Sequence, residues 1–414
     1  MNRITAVALA VLVATAALPA AAVGAGASAA SPSQQSESSA YAGTHVEFDT
    51  SSNAVTEYRV DGETVFENVS VASQSDHESR TSIGADIGID AVANLSGVGL
   101  DIAAQSSTRA EIATEGSASM AAHDSERGIL TVDAGDEAQY VEAELGADAT
   151  AEAESDDRVV VDSGERTGAF VVVGDGEVAV NENDDVTADL KSDSKLVFRS
   201  YADGERDENA KAQERMIANG TATAEVYAEE RDGERVADVA TYGQDIAVET
   251  SNESRDRLEM TVERSQSEGT VVITSVSEAA IDGVESADDL SVTVDGEAAA
   301  QASSRSDLEG AIGSDQSRYM VTQSSDASAS ADVLVAVNHF SERQLSIQDS
   351  DDDGGSTDDG GDSTDDGGDS TDDGGDSTNE STDGGDSSGD SIPGFGAGAA
   401  LIALLSGVAA RVRQ

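Results

Sequence analysis

The sequence predicts a mainly β protein: a β-sandwich-like or stacked β body with minor helix, then a disordered acidic stalk and a C-terminal membrane segment. Short apolar alternations, many of period two, recur along residues 41–348. Asp-Gly pairs separate several of them. From residue 349 the composition narrows to Asp, Gly, Ser and Thr, and an apolar run closes the chain. Alternation with period two sets successive side chains on opposite faces of a strand, and Asp-Gly supplies the positive φ angles of tight hairpins.

Taken in order, residues 1–29 read as a signal peptide. Met1, Asn2 and Arg3 precede an apolar run over 4–18, Pro19 ends it, and small residues continue through Ala27-Ser28-Ala29. One basic residue, a short apolar core and an Ala-x-Ala-like site are the marks of a cleaved export signal. An uncleaved membrane anchor is the alternative, and the polar linker at 30–40 argues against it. The absence of an Arg-Arg pair favours the general secretion route.

The body, 41–348, carries strand signals at 55–60, 69–71, 83–89, 97–102, 128–132, 159–161, 169–173 and 196–198. More follow at 245–248, 258–262, 270–273, 290–294 and 332–337. Turns are expected at Asp61-Gly62, Asp175-Gly176, Asp203-Gly204, Asp232-Gly233 and Asp295-Gly296. Helix competes at 207–219 and at 303–312, where Ser306 is placed as N-cap with Glu309 three residues on. The alanine-rich stretch 142–154 is ambiguous. A weak echo links Asp175-Gly176-Glu177 and the strand at 192–198 to Asp295-Gly296-Glu297 and the strand at 314–321. It reads either as a duplicated module, with a boundary near residue 165, or as coincidence in a chain poor in residue types.

Charge sets the class. The 414 residues include 83 acidic and 23 basic ones, for a net charge of −60, and no cysteine. Disulfides, thiolate metal sites and thiol nucleophiles are therefore excluded. The stalk holds 17 acidic residues and no basic one, so 66 acidic and 20 basic residues remain between 30 and 348. A body with that balance repels itself in dilute salt. At 1 M salt the Debye length falls to about 3 Å and most of the repulsion is screened. Only Lys191, Lys195 and Lys211 are lysines, and Ala, Val and Thr outnumber bulky apolar residues. This balance resembles that of proteins from extremely halophilic archaea; an ordinary acidic secreted protein is the alternative. Nucleic acid is excluded as a partner, because it needs clustered Lys and Arg. Diffuse cation binding is expected.

Chemistry-bearing motifs are scarce. His45, His77, His123 and His339 show no helical metal-pair spacing, and there is no Gly-x-Ser-x-Gly elbow. No catalytic, cofactor-binding or metal residue is assigned, and no cofactor is expected. A glycosidase-like carboxylate pair stays open simply because carboxylates abound. With no tryptophan, seven tyrosines and six phenylalanines, the chain is poor in the aromatic platforms that sugar sites favour. Asn68, Asn94, Asn219, Asn252 and Asn379 begin Asn-x-Ser/Thr triplets and are candidate N-glycan acceptors.

The stalk, 349–391, contains the unit Asp-Asp-Gly-Gly-Asp-Ser-Thr at 358–364, 365–371 and 372–378. Nothing apolar interrupts it, so no core forms, and like charges extend it. Fully stretched, it reaches at most about 150 Å. Residues 392–414 then give Pro393-Gly394-Phe395, an apolar run over 397–410 and the closing Arg411 and Arg413. This ending resembles the PGF-CTERM sorting signal of archaeal surface proteins, and the acidic Ser/Thr stalk before it is typical of that class. The resemblance implies that an archaeosortase acts at Pro393-Gly394-Phe395, removes the membrane segment and leaves a lipid-linked C-terminus. A plain C-terminal membrane helix is the alternative. Either places the protein at the outer face, held by its C-terminal segment or by an attached lipid.

The reading that needs no unseen site is a cell-surface structural or interaction protein, with cell-surface layer proteins as candidate partners. The alternative is a solute- or ion-binding surface ectodomain. A surface hydrolase ranks third.

Overall fold

The computed structural model describes residues 39–51, 53–81, 99–251, 256–277, 280–281, 289–323, 330–339 and 342–350. All of them belong to one compact unit, residues 1–355. The segments read as signal peptide and sorting signal and nearly all of the expected stalk lie outside the described residues, as does the strand expected at 83–89.

Strands β1 (Ala40–Ala42), β2 (Val46–Thr50), β3 (Val55–Val60) and β4 (Glu63–Ser73) lead into helix α1 (Gln74–Thr81). Next come β5 (Leu100–Gln105), β6 (Arg109–Thr114), β7 (Ser119–His123), β8 (Ile129–Asp133) and β9 (Gln139–Glu144). β10 (Thr150–Ser155), β11 (Arg158–Asp162), β12 (Arg166–Val173), β13 (Gly176–Val180), β14 (Val186–Leu190) and β15 (Lys195–Ala202) complete the first half. Helix α2 (Glu208–Ala218) precedes β16 (Ala222–Arg231), β17 (Glu234–Thr241), β18 (Ile246–Ser251), β19 (Arg257–Arg264) and β20 (Glu268–Ser277). The last group is β21 (Leu290–Val294), β22 (Glu297–Ala298), β23 (Ala300–Gln301), α3 (Arg305–Glu309), β24 (Arg318–Gln323), β25 (Ser330–His339) and β26 (Glu342–Asp349).

These strands form four sheets. The first runs β1-β2-β3-β4-β9-β14-β13 and the second β10-β11-β12-β15-β8-β7-β6-β5. The third runs β17-β16-β20-β25-β24-β23 and the fourth β18-β19-β26-β21-β22. Described pairings are antiparallel except β16 with β20 and β23 with β24. The protein is thus mainly β, in stacked sheets.

Three cores lie between four layers. Between the first and second sheets, Phe48, Tyr58, Phe66, Phe170 and Phe198 are buried together, and ring centroids approach to 4.7 Å for Tyr58 and Phe66. Four of the six phenylalanines sit there. The core between the third and fourth sheets is instead aliphatic, built on Val226, Leu258, Val292, Leu345 and Ile347, with Met260. A third core joins the two sandwiches: Ile129, Val171 and Val197 of the second sheet meet Tyr227, Ile273 and Leu334 of the third, with Met216 and Ile217 of α2. The second and third sheets are therefore buried on both faces. On β15, Leu196 and Phe198 point into the first sandwich while Val197 and Arg199 point at the third sheet, as the period of two requires.

Turn chemistry accounts for the hairpins. Asp61-Gly62, Asp232-Gly233 and Asp295-Gly296 all have positive φ at both residues and join β3–β4, β16–β17 and β21–β22 as two-residue loops. Asp175-Gly176 is not such a hairpin: β12 and β13 belong to different sheets, so this link crosses layers. At Asp203-Gly204 only the glycine is positive, and the chain turns towards α2. That helix matches the expectation: Asp207 caps it, accepting from the backbone N–H of Asn209 and Ala210 at 2.8 and 2.9 Å. In α3 the cap is Ser304 rather than Ser306, because Ser304 is the extended residue whose hydroxyl accepts from Asp307 N–H. The alanine-rich 142–154 stretch is strand at both ends. Residue 165 lies in the turn between β11 and β12, which pair with each other, and the passage from one sandwich to the next is made by 203–221. β26 extends to Asp349, one residue past the expected end of the body, and β1 begins at Ala40.

Candidate functional site

The second and third sheets do not meet through apolar side chains alone. Glu225 of β16, wholly buried, accepts from Arg127 Nη1 at 2.7 Å, Arg199 Nη2 at 2.8 Å and the Tyr242 hydroxyl at 2.6 Å. Arg199, also wholly buried, donates further to the Tyr201 hydroxyl and to Gln213 Oε1. Arg127 reaches on to Asp332 of β25 at 2.6 Å, and Gln213 Nε2 donates to the same carboxylate. Nearer the surface, Arg206 forks onto the buried Glu214 and onto Glu154. Burial alone would raise the Glu225 pKa, but Arg199, Arg127 and the Tyr242 hydroxyl hold it down at about 2. The group is therefore ionised, and the seam is a network of ion pairs whose centre, Arg199 with Glu225, is closed off from water while Arg127 and Asp332 reach its edge.

A second set of contacts clamps the rim. Asp124, 3% exposed, accepts from the backbone N–H of Thr44, His45 and Val46 at 2.7–2.8 Å and from Arg231 at 2.7 Å. This close approach needs Gly43, where a Cβ would stand 2.3 Å from the Asp124 carboxyl carbon. His45 spans the sandwiches, with Nδ1 2.8 Å from Asp61 and Nε2 3.1 Å from Glu229. Burial lowers its pKa, but hydrogen bonds to those two carboxylates outweigh burial and raise it to about 10. His123 contacts Asp238 across the same interface at 2.6 Å.

Eight of the basic residues thus face inward. Arg127, Arg158, Arg166, Lys195, Arg199, Arg206, Arg231 and Arg264 each have side chains less than a fifth exposed, and each pairs with a carboxylate. The acidic excess is left to the surface.

Between the sandwiches, beside Arg127, opens a cleft of about 80 Å³ lined by Ser125, Glu126, Glu205, Tyr227 and Ser277 among others. A wider groove of about 410 Å³ runs between the outer face of β6–β8 and the edge strand β17. Among the described residues no three His, Asp or Glu side chains converge to hold a metal ion, and no helix is long and apolar enough to cross a membrane.

Of the candidate glycan acceptors, Asn219 is exposed at the end of α2, its side-chain oxygen accepting from Thr221 N–H at 2.9 Å. Asn68 is half-buried within β4 and donates to Glu144. Asn94, Asn252, Asn379, Pro393, Gly394 and Phe395 lie outside the described residues. Of the remaining histidines, His77 stacks on Tyr140 with ring centroids 3.9 Å apart, and His339 is exposed at the end of β25. The seam itself was missed in the sequence. Its one signal is Glu225, a charge inside the otherwise small and apolar run 222–228, with Arg199 as its counterpart in 195–202.

No family model matches the chain, and no curated protein does. Among solved structures, the chain is similar to a glycoside hydrolase family 81 protein from Clostridium thermocellum (CtLam81A), with 9% identity and a TM-score of 0.35. The match covers 73% of this chain and 34% of that one, so the chain spans about a third of its length. A likeness this slight carries no argument about activity.

Proposed function

We propose that this chain is a cell-surface structural or interaction protein of a halophilic archaeon, exported and anchored at the outer face of the membrane. Its folded body serves as one stiff, anionic block on an acidic stalk. The observation that carries this reading is the inward pairing of the basic residues. Arg199 and Arg127 fasten one sandwich to the other through Glu225 and Asp332, and the Arg199–Glu225 pair at the centre lies where water and salt do not reach. The surface left behind is strongly acidic and holds cations diffusely. In molar salt such surfaces approach one another without long-range repulsion, which suits packing beside cell-surface layer proteins. The membrane is reached through the C-terminal segment or an attached lipid, with an archaeosortase acting during maturation. The reading is tested by treating intact cells with protease. Release of a folded fragment ending beyond Asp349 supports it; a chain protected until the cells are lysed contradicts it.

A further inference from the structure

Two carboxylates in the cleft between the sandwiches have no partner among the described ion pairs. Glu126 lies in the turn between β7 and β8, and Glu205 in the link before α2; both line the cleft. The other acids there are engaged. Asp332 is held by Arg127, Glu229 by His45 and Arg231, and Asp207 caps α2. Glu126 is itself exposed at the mouth of the cleft, with Glu229, Asp61 and Glu205 as neighbouring like charges and His45 as the opposing one.

The hydroxyls beside them are the independent observation. Ser125 is 3% exposed and lines the cleft, and its hydroxyl has no hydrogen-bond partner, whereas the Tyr227 hydroxyl bonds to that of Tyr242. Ser277 Oγ, in the same lining, is like Ser125 without a partner. The Tyr242 hydroxyl next to Tyr227 is donated to Glu225. Buried hydroxyls are nearly always satisfied, so a pair of unsatisfied ones around one space points to an occupant.

We propose that this cleft binds a small primary ammonium ion, with Glu126 and Glu205 supplying the charge and Ser125 and Ser277 the flanking oxygens. A primary ammonium carries three N–H donors and no acceptor, which suits carboxylates and hydroxyls together. The cleft, at about 80 Å³, suits a headgroup of a few heavy atoms. A calcium-like ion asks for six to eight oxygen ligands, roughly, and finds no triad of acidic or histidine side chains among the described residues. An anion would meet the unpaired carboxylates. The inference is independent of the surface role proposed above.

The probe is ethylammonium, titrated calorimetrically into the full chain in 2 M KCl, where potassium saturates diffuse binding. The expected result is saturable binding at one site per chain. Glu126→Gln with Glu205→Gln weakens it at least tenfold. Ser125→Ala, which changes no charge, weakens it several-fold and serves as the test should the double variant misfold by circular dichroism. Glu297→Gln with Glu309→Gln, which removes two exposed carboxylates outside the cleft, leaves it unchanged. Three results overturn the proposal: no saturable binding, equal weakening by both double variants, or full displacement of the amine by 0.1 M magnesium.

Discussion

Replacing Arg199 with Met probes the seam that couples the two sandwiches. The change keeps the unbranched stem of the side chain but removes a wholly buried guanidinium. Glu225 keeps Arg127 and Tyr242, so its charge is only partly uncovered, while Gln213 and the Tyr201 hydroxyl each lose a donor. Removing one member of a buried ion pair costs about 3–5 kcal/mol. For a body of about 310 residues the entropy of unfolding is about 0.65 kcal/mol per degree, so that cost lowers the melting temperature by roughly 5–8 °C. Replacing both partners, Arg199→Met with Glu225→Met, removes the stranded charge and leaves Arg127 on Asp332. The double variant is therefore less destabilised than the sum of the singles, by about 2 kcal/mol. The assay is urea unfolding at fixed 3 M KCl, because guanidinium would itself act as a salt. A loss below about 1 kcal/mol for Arg199→Met, or strict additivity in the cycle, would refute the claim that these charges fasten the layers.

Two further outcomes follow from the same charges. The body should need salt, since 66 acidic residues face 20 basic ones between 30 and 348 and eight of the basic ones are paired inward; strand content and melting temperature unchanged from 3 M to 0.1 M KCl would sink this. His45 should make the fold sensitive to alkali. Its folded pKa of about 10 exceeds the ordinary 6.5, so its contribution is complete below pH 6.5 and is lost as pH rises through 10. Wild type should lose more stability between pH 7 and 10.5 than His45→Gln, and parallel curves would remove the clamp from the account.

Strands rich in Val, Ile and Leu were the legible ones, including β12, β15, β20 and β25 of the doubly buried sheets. In β3 Val55, Tyr58 and Val60 are buried, Glu57 bulges outward at positive φ, and the Asp-Gly turn is where the pattern puts it. β16 was not legible, because one of its buried faces carries Glu225, Tyr227 and Glu229 for the seam. Its sequence, ATAEVYAEER, resembles a polar helix. β10 was hidden for the opposite reason, being an exposed edge strand with alternating Ala and Glu. The misplaced cap of α3 shows how little separates neighbouring serines: Ser304 and Ser306 are chemically equal, and only the extended backbone at Ser304 decides. The cleft gave no signal, since Ser125, Glu126, Glu205 and Tyr227 come from separate segments that only the stacking of sheets brings together.

The central claim, an exported body held at the outer face by a processed C-terminus, is tested most directly by intact-mass measurement of the deglycosylated chain from native membranes. The account predicts a chain that begins near Ala30, lacks the residues from about Pro393 onward and carries the mass of a lipid. A cytoplasmic chain running unmodified from Met1 to Gln414 would contradict it.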